Sequence, residues 1–376
     1  MSVERGKVVV VGAGIVGAAC AEAFAREGFA VVIVEAQTIG GGATAAGMGH
    51  LVVMDDSEAE FALSDYSVRL WRELRPRLPA NTEITLTGTV WVAADDEEMA
   101  EVQRKHAVAE QRGLATEVLD RQALVECEPN LRPGLAGGLL VTGDGVVYAP
   151  AVAAWLVEQA QQRGAILQLG VGATEIKGKR VTLADGTTYW ADLVVNATGA
   201  WAPRFTPGLK IRPRKGHLVI TDRYPGFVRH QLVELGYVKS AHGSDADSVA
   251  FNAQPRATGQ ILIGSSRQFA EETKEIDHLI LGRMVRRAIE YLPGMAQLSA
   301  IRVWTGFRAT TPDKLPLIGP VKWEEGLYLA TGHEGLGITT SLGTAQLLVD
   351  YVLGRETAIP IEPYIPIRFL GVASHG

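Results

Sequence analysis

The chain has 376 residues, of which 47% are hydrophobic, 7% aromatic and 21% charged, a composition that excludes disordered, collagen-like and coiled-coil chains. At roughly 150 residues per domain the length predicts two domains. Lys and Arg total 36 against 42 Asp and Glu, a net charge of -6, so nucleic acid is not expected as a partner.

Residues 7 to 36, KVVVVGAGIVGAACAEAFAREGFAVVIVEA, predict a βαβ unit. Lys7 to Val11 and Val31 to Val34 have the continuous apolar character of strands buried on both faces, as a parallel sheet requires. Between them Gly12 permits a tight turn, Gly14 lets backbone approach a pyrophosphate, and Gly17 lets the helix pack closely on the strand. Free N–H groups at the helix start then suit an anion. Glu35 stands at the end of the second strand, where a carboxylate accepts hydrogen bonds from ribose hydroxyls. It also disfavours a 2′-phosphate, which leaves FAD or NAD. The apolar stretch Val8 to Ala21 stops at Glu22, short of the ~18 residues a membrane span needs. No secretory leader is read either, and Cys20 and Cys127 are too far apart for a CxxC or CxxxxC redox pair. A cytoplasmic protein without a metal site is expected.

The next segment, Thr38 to His50, is dominated by glycine and alanine. Tiny side chains directly after the acid-bearing strand suit a loop whose backbone passes close to a flat ring system. Asp95 to Gly113 reads as an exposed, charged helix, and Gly88 to Ala93, His217 to Thr221 and Gln260 to Ser265 read as strands. Leu193 to Asn196 forms a short buried strand leading into Ala197, Thr198 and Gly199. Near the C-terminus a strand at Leu327 to Ala330, a glycine loop at Gly332 to Gly337 and an amphipathic helix from about Thr339 to Leu353 follow one another. The start of that helix would offer positive potential to the N1–C2 edge of a flavin, which becomes anionic on reduction. NAD has no such need.

Four separated motifs resemble the FAD-dependent family that includes D-amino acid oxidase, glycine oxidase and sarcosine oxidase. They are GAGIVG with Glu35, the small-residue segment ending near Gly49, NATGAW at 196–201, and the pair WTGFRATTPDKLPLIG (304–319) and GHEGLGITTS (332–341). The resemblance implies an α/β fold in which a Rossmann-like FAD-binding domain (1–86, 146–208 and 312–368) is interleaved with a mostly antiparallel α+β substrate domain (87–145 and 209–311). It implies FAD contacts from Gly12, Gly14, Ile15, Val16, Gly17, Glu35 and Ala36, then from Ala43, Thr44, Ala46, Gly47, Met48 and Gly49. Further contacts would come from Val171, Ala197, Thr198, Gly199 and Trp201, and from Gly332, His333, Gly335, Leu336, Gly337, Ile338 and Thr339.

Arg308 lies where glycine oxidase-like relatives carry an arginine for the substrate carboxylate, a planar group that suits a guanidinium fork. His50, with His217 and His333, is a candidate for base or flavin contact, and Trp201 reads as packing beside the ring. The implied reaction is oxidation of an amino or imino acid at Cα, catalysed mainly by orientation. The family's stand-alone oxidases carry a Tyr-Leu-x-Pro strand, whereas VAFNAQPRATGQILIGSSRQF (249–269) has no tyrosine. With MGHLVVMDD (48–56) and IGSSRQ (263–268), this looks more like the β subunits of hetero-oligomeric dehydrogenases such as D-hydroxyproline dehydrogenase, opine oxidase and hydrogen cyanide synthase. Partner subunits are therefore implied.

Overall fold

The valines after Lys7 form the middle of a six-stranded sheet, in a computed structural model that describes residues 5–236, 247–269 and 272–369. Its strands run in the order Leu317–Pro320, Leu327–Thr331, Leu193–Asn196, Lys7–Val11, Ala30–Glu35 and Ile166–Leu169. Four neighbouring pairs are parallel; the pair at the C-terminal edge is antiparallel. Val8, Val9 and Val10 are fully buried because both faces are covered, as an all-β-branched strand demands. Val8, Val10, Ile33 and Val195 pack under the helices Ile15–Arg26, Ala149–Gln162 and Ser341–Val352. Val9, Val11, Val32 and Val34, alternating to the other face, meet Ile176, Val181 and Leu183 of a small antiparallel sheet.

Helix Ile15–Arg26 is nearly enclosed, and its run of alanines and Cys20 lets it fit between sheet and neighbouring helices. Gly17 is required there, since a Cβ would run into the Gly12 carbonyl oxygen. Two local expectations need correction. Thr38 to His50 is not a plain loop: Gly42–Ala46 is a short helix. The C-terminal helix begins at Ser341, two residues later than expected, because Leu336 to Thr340 form a turn of their own in which Thr340 N donates to Leu336 O at 2.9 Å.

The second sheet has eight strands, in the order Ala300–Thr310, Arg212–Arg223, Gln260–Arg267, Ser248–Pro255, Gln231–Glu234, Thr89–Ala93, Gly137–Val141 and Thr116–Leu119. All its pairs are antiparallel except Gln231–Glu234 with Thr89–Ala93. Helix His278–Tyr291 covers one face, with Met284, Ala288 and Tyr291 against Phe251, Ile261 and Ile263. Tyr291 stacks on Phe251 at 4.6 Å. Helix Asp96–Gln111 buries only Val102 and Ala109, so its charges are a solvated face. Among the described residues no helix is long and apolar enough to cross a membrane.

Candidate active site

A cavity of about 620 Å³ runs from the C-terminal ends of the parallel strands to the open face of the eight-stranded sheet. One end is the first glycine turn. Gly12 has φ +102°, and a Cβ on it would lie 2.7 Å from the Ala197 carbonyl, so only glycine turns here. Gly12 N donates to Val34 O at 2.8 Å, tying the turn to the second strand. Thr44 Oγ1 accepts from Ile15 N at 3.0 Å and so fixes the short helix against the first. Both Glu35 oxygens are held by backbone, Oε2 by Ala13 N (2.8 Å) and Oε1 by Gln37 N (2.9 Å). Each oxygen keeps lone pairs for a further donor in the cavity.

The middle of the wall is made of backbone and small side chains: Ala43, Thr44, Ala46, Gly47, Met48 and Gly49 on one strip, Ala197 to Trp201 on another, and Gly332 to Gly335 with Gly337 and Ile338 on a third. Gly49 (φ +90°) has no room for a Cβ beside the Val147 carbonyl. Trp201 meets Phe307 edge-on at 5.6 Å and carries the Arg204 guanidinium 4.4 Å over its ring. His50 and His333 both line the cavity. Burial pushes His50 down to about 4, with the Arg308 charge acting the same way and the side-chain amide of Gln254 opposing them. His333, 2.9 Å from Thr344 Oγ1, is pushed down to about 3 by burial. Both rings are neutral at pH 7.

At the far end Arg308 projects from strand Ala300–Thr310, and its Nη1 donates to Ser266 O at 2.9 Å. Gly216 stands opposite, where a Cβ would strike the guanidinium; Gly306 likewise leaves room for Ala46 of the short helix. Glu334, at φ +49°, also lines the cavity. Burial would raise its carboxyl, but Arg267, Arg308, Arg214 and Lys314 outweigh burial and hold it below the usual range.

The structure thus brings Arg308, His50 and most of the sequence-selected residues into one wall: Gly12, Gly14, Ile15, Val16, Glu35, Ala36, Ala43 and Thr44, Ala46 to Gly49, Ala197 to Gly199, Trp201, Gly332, His333, Gly335, Gly337 and Ile338. Gly17, Val171, Leu336 and Thr339 stand outside it. Gly17 serves packing, as its spacing predicts. Val171 turns into the core beneath the sheet. Leu336 O takes Thr340 N, and Thr339 Oγ1 donates to His50 O at 2.8 Å. Neither Thr340 nor Ser341 reaches the wall, so the C-terminal helix does not itself point its start into the cavity. His217 is also behind the wall, fully buried between Ser266 Oγ (2.9 Å) and Asp277 N (3.0 Å). Sequence reasoning missed Gly216, Leu218, Asn252, Ser265, Lys274 and Glu334; Glu334 lies in GHEGLGITTS, and Asn252 and Ser265 lie in the tyrosine-free stretch 249–269.

These walls suit a long, flat dinucleotide. Gly12, Gly14 and Gly47 would let backbone approach it, the Glu35 carboxylate would suit its ribose end, and His50 Nε2 is buried without a protein partner. The family model described as "FAD dependent oxidoreductase" matches residues 7–351. The chain belongs to that family. Among curated relatives of this FAD-dependent oxidoreductase, a glycine oxidase of Pseudomonas putida is 30% identical, with 97% of this chain and 99% of the relative covered. Hydrogen cyanide synthase subunit HcnC of Pseudomonas aeruginosa is 27% identical, with 96% of each chain covered. The crystal structure of glycine oxidase from Geobacillus kaustophilus superposes with TM-score 0.87 at 27% identity, covering 97% of this chain and 99% of that one. The oxidoreductase therefore has a Rossmann-like FAD domain joined to an α+β domain and takes FAD as its cofactor.

Proposed function

We propose that this oxidoreductase removes a hydride from Cα of an amino or imino acid to give the imine. We further propose cis-4-hydroxy-D-proline as its preferred substrate, and a role as the FAD-carrying β subunit of a hetero-oligomeric dehydrogenase. The observation that carries the reaction class is the Arg308 guanidinium at the sheet end of the cavity, beside a glycine whose missing side chain makes room for it. When bound, FAD supplies a two-electron acceptor. Arg308 seats the carboxylate through a charge-assisted fork, and the walls around Met48, Leu218 and Phe307 keep water from the reacting end. His50 gives an uncharged contact and not a base, since a ring pushed down to about 4 is too weak to deprotonate an ammonium. The substrate must therefore arrive with its amine free. Residues 1–86, 146–208 and 312–368 form the proposed FAD unit, and 87–145 and 209–311 the substrate unit. The segregation of the two large sheets' strands between these segments supports that division.

The hetero-oligomeric reading is supported by the absence of tyrosine from 249–269, where Asn252 takes a place in the wall. A second reading, a stand-alone oxidase that forms hydrogen peroxide, is favoured by the full-length similarity to glycine oxidases. Anaerobic mixing of the FAD-loaded chain with D-hydroxyproline, D-proline, glycine, sarcosine and an opine tests both. Flavin bleaching is expected, strongest with D-hydroxyproline; no bleaching with any of these overturns the reaction class. Peroxide release by the single chain in air would establish the second reading over the first.

A further inference from the structure

We propose that Asn252 selects substrates by a hydroxyl group carried away from the carboxylate. This rests on the amino-acid-oxidising reading above and names the feature by which that site tells substrates apart. Asn252 lies on strand Ser248–Pro255 and lines the cavity, yet it is only 6% exposed, and its Oδ1 is buried without a hydrogen-bond partner. Its cross-strand neighbour is Gly264, where a Cβ would come within 2.9 Å of Met48 Sδ and Leu218 Cδ2. Met48, Leu218 and Leu262 cluster there, so the amide is a polar group set in an apolar corner.

Buried polar atoms without partners are rare in folded chains, because each forfeits the hydrogen bonds it had in water. Arg308 does not satisfy Oδ1. It belongs to a strand three places along the sheet, but its guanidinium reaches across to Ser266 O, at 2.9 Å, on the strand next to that of Asn252. A substrate seated by its carboxylate on Arg308 therefore meets Asn252 with its other end. An amide presents both a donor and an acceptor, and a hydroxyl is both as well, so it pairs with Asn252 whichever way the amide is turned. A methylene in the same place leaves Asn252 unpaired, and sites built to bind a hydroxyl reject such analogues strongly.

The test compares anaerobic flavin reduction of the FAD-loaded holoprotein by cis-4-hydroxy-D-proline and by D-proline, in wild type and in Asn252→Leu, Asn252→Ala and Asn252→Ser. Wild type is expected to favour the hydroxylated substrate in kcat/KM by roughly tenfold to a hundredfold. The ratio should collapse toward one in the Leu and Ala variants and recover in part in the Ser variant. Thermal-shift titration with the two imino acids is expected to rank them the same way. A wild-type preference that survives in Leu and Ala overturns the proposal, as does a wild type without preference. In both cases reduction by D-proline keeps amino acid oxidation standing, whereas failure of every amino acid to bleach the flavin overturns both.

Discussion

At the glycine-turn end of the cavity the wall comes largely from residues 12 to 49, and its parts are bonded to one another within that single stretch: Gly12 to Val34, Ala13 to Glu35, Ile15 to Thr44. At the sheet end Gly216, Asn252, Ser265, Gly306 and Arg308 arrive from four different strands. The first end is built within one continuous stretch of chain; the second exists only after those four strands have paired. Contacts made by backbone at the first end tolerate little variation, while side chains at the second can change without disturbing the fold.

The largest expected effect tests the rigid end. Gly17→Val places a side chain against the Gly12 carbonyl, and overpacking of this kind costs about 3 kcal/mol, the upper end of the usual range. A fall in melting temperature and a flavin-to-protein ratio near zero are expected. Retention of FAD by this variant would remove the contrast between the ends. Arg308→Ala tests the other end: melting temperature and FAD content stay, KM rises, and kcat/KM drops by about 2 to 4 kcal/mol of transition-state stabilisation. Steady-state kinetics measure it, and loss of FAD would show that the ends are not separable.

Between them, His333 gives a smaller, pH-dependent effect. Burial lowers its folded value from 6.5 to about 3, so between those values the unfolded chain binds the extra proton. Its contribution to stability is then complete above pH 6.5 and is lost as the pH falls toward 3. The stability difference between wild type and His333→Asn should shrink by about 2 kcal/mol from pH 7 to pH 5. Denaturant titrations at the two pH values measure it, and a constant difference would mean that the imidazole is not held neutral.

The same contrast explains what the sequence makes legible. Lys7–Val11, Ala30–Glu35 and Leu193–Asn196 are readable because each carries a run of apolar β-branched or leucine residues, and those runs are in fact covered on both faces. The turn between the first two is readable because steric need at Gly12 and Gly17 fixes residue type. The short helix Gly42–Ala46 is not, since glycine and alanine also suit a loop, and its helical form depends on Thr44 bonding to Ile15 across the turn. Nor is the sheet end. Asn252 sits in a strand otherwise ordinary in sequence, and it becomes part of the cavity only by pairing with Gly264 beside Leu218. His217 shows the converse: a histidine near Arg308 in the fold is spent on bonds to Ser266 and Asp277.

The strands of the six-stranded sheet lie in three stretches of chain, 7–35, 166–196 and 317–331, and the eight-stranded sheet is threaded between them. Scissors applied once, anywhere between residues 36 and 316, would leave that smaller sheet divided between two fragments. Shuffling by simple end-to-end fusion consequently has no place to act inside this polypeptide. New specificities must arise by point changes on the open face, with the nucleotide cradle inherited whole.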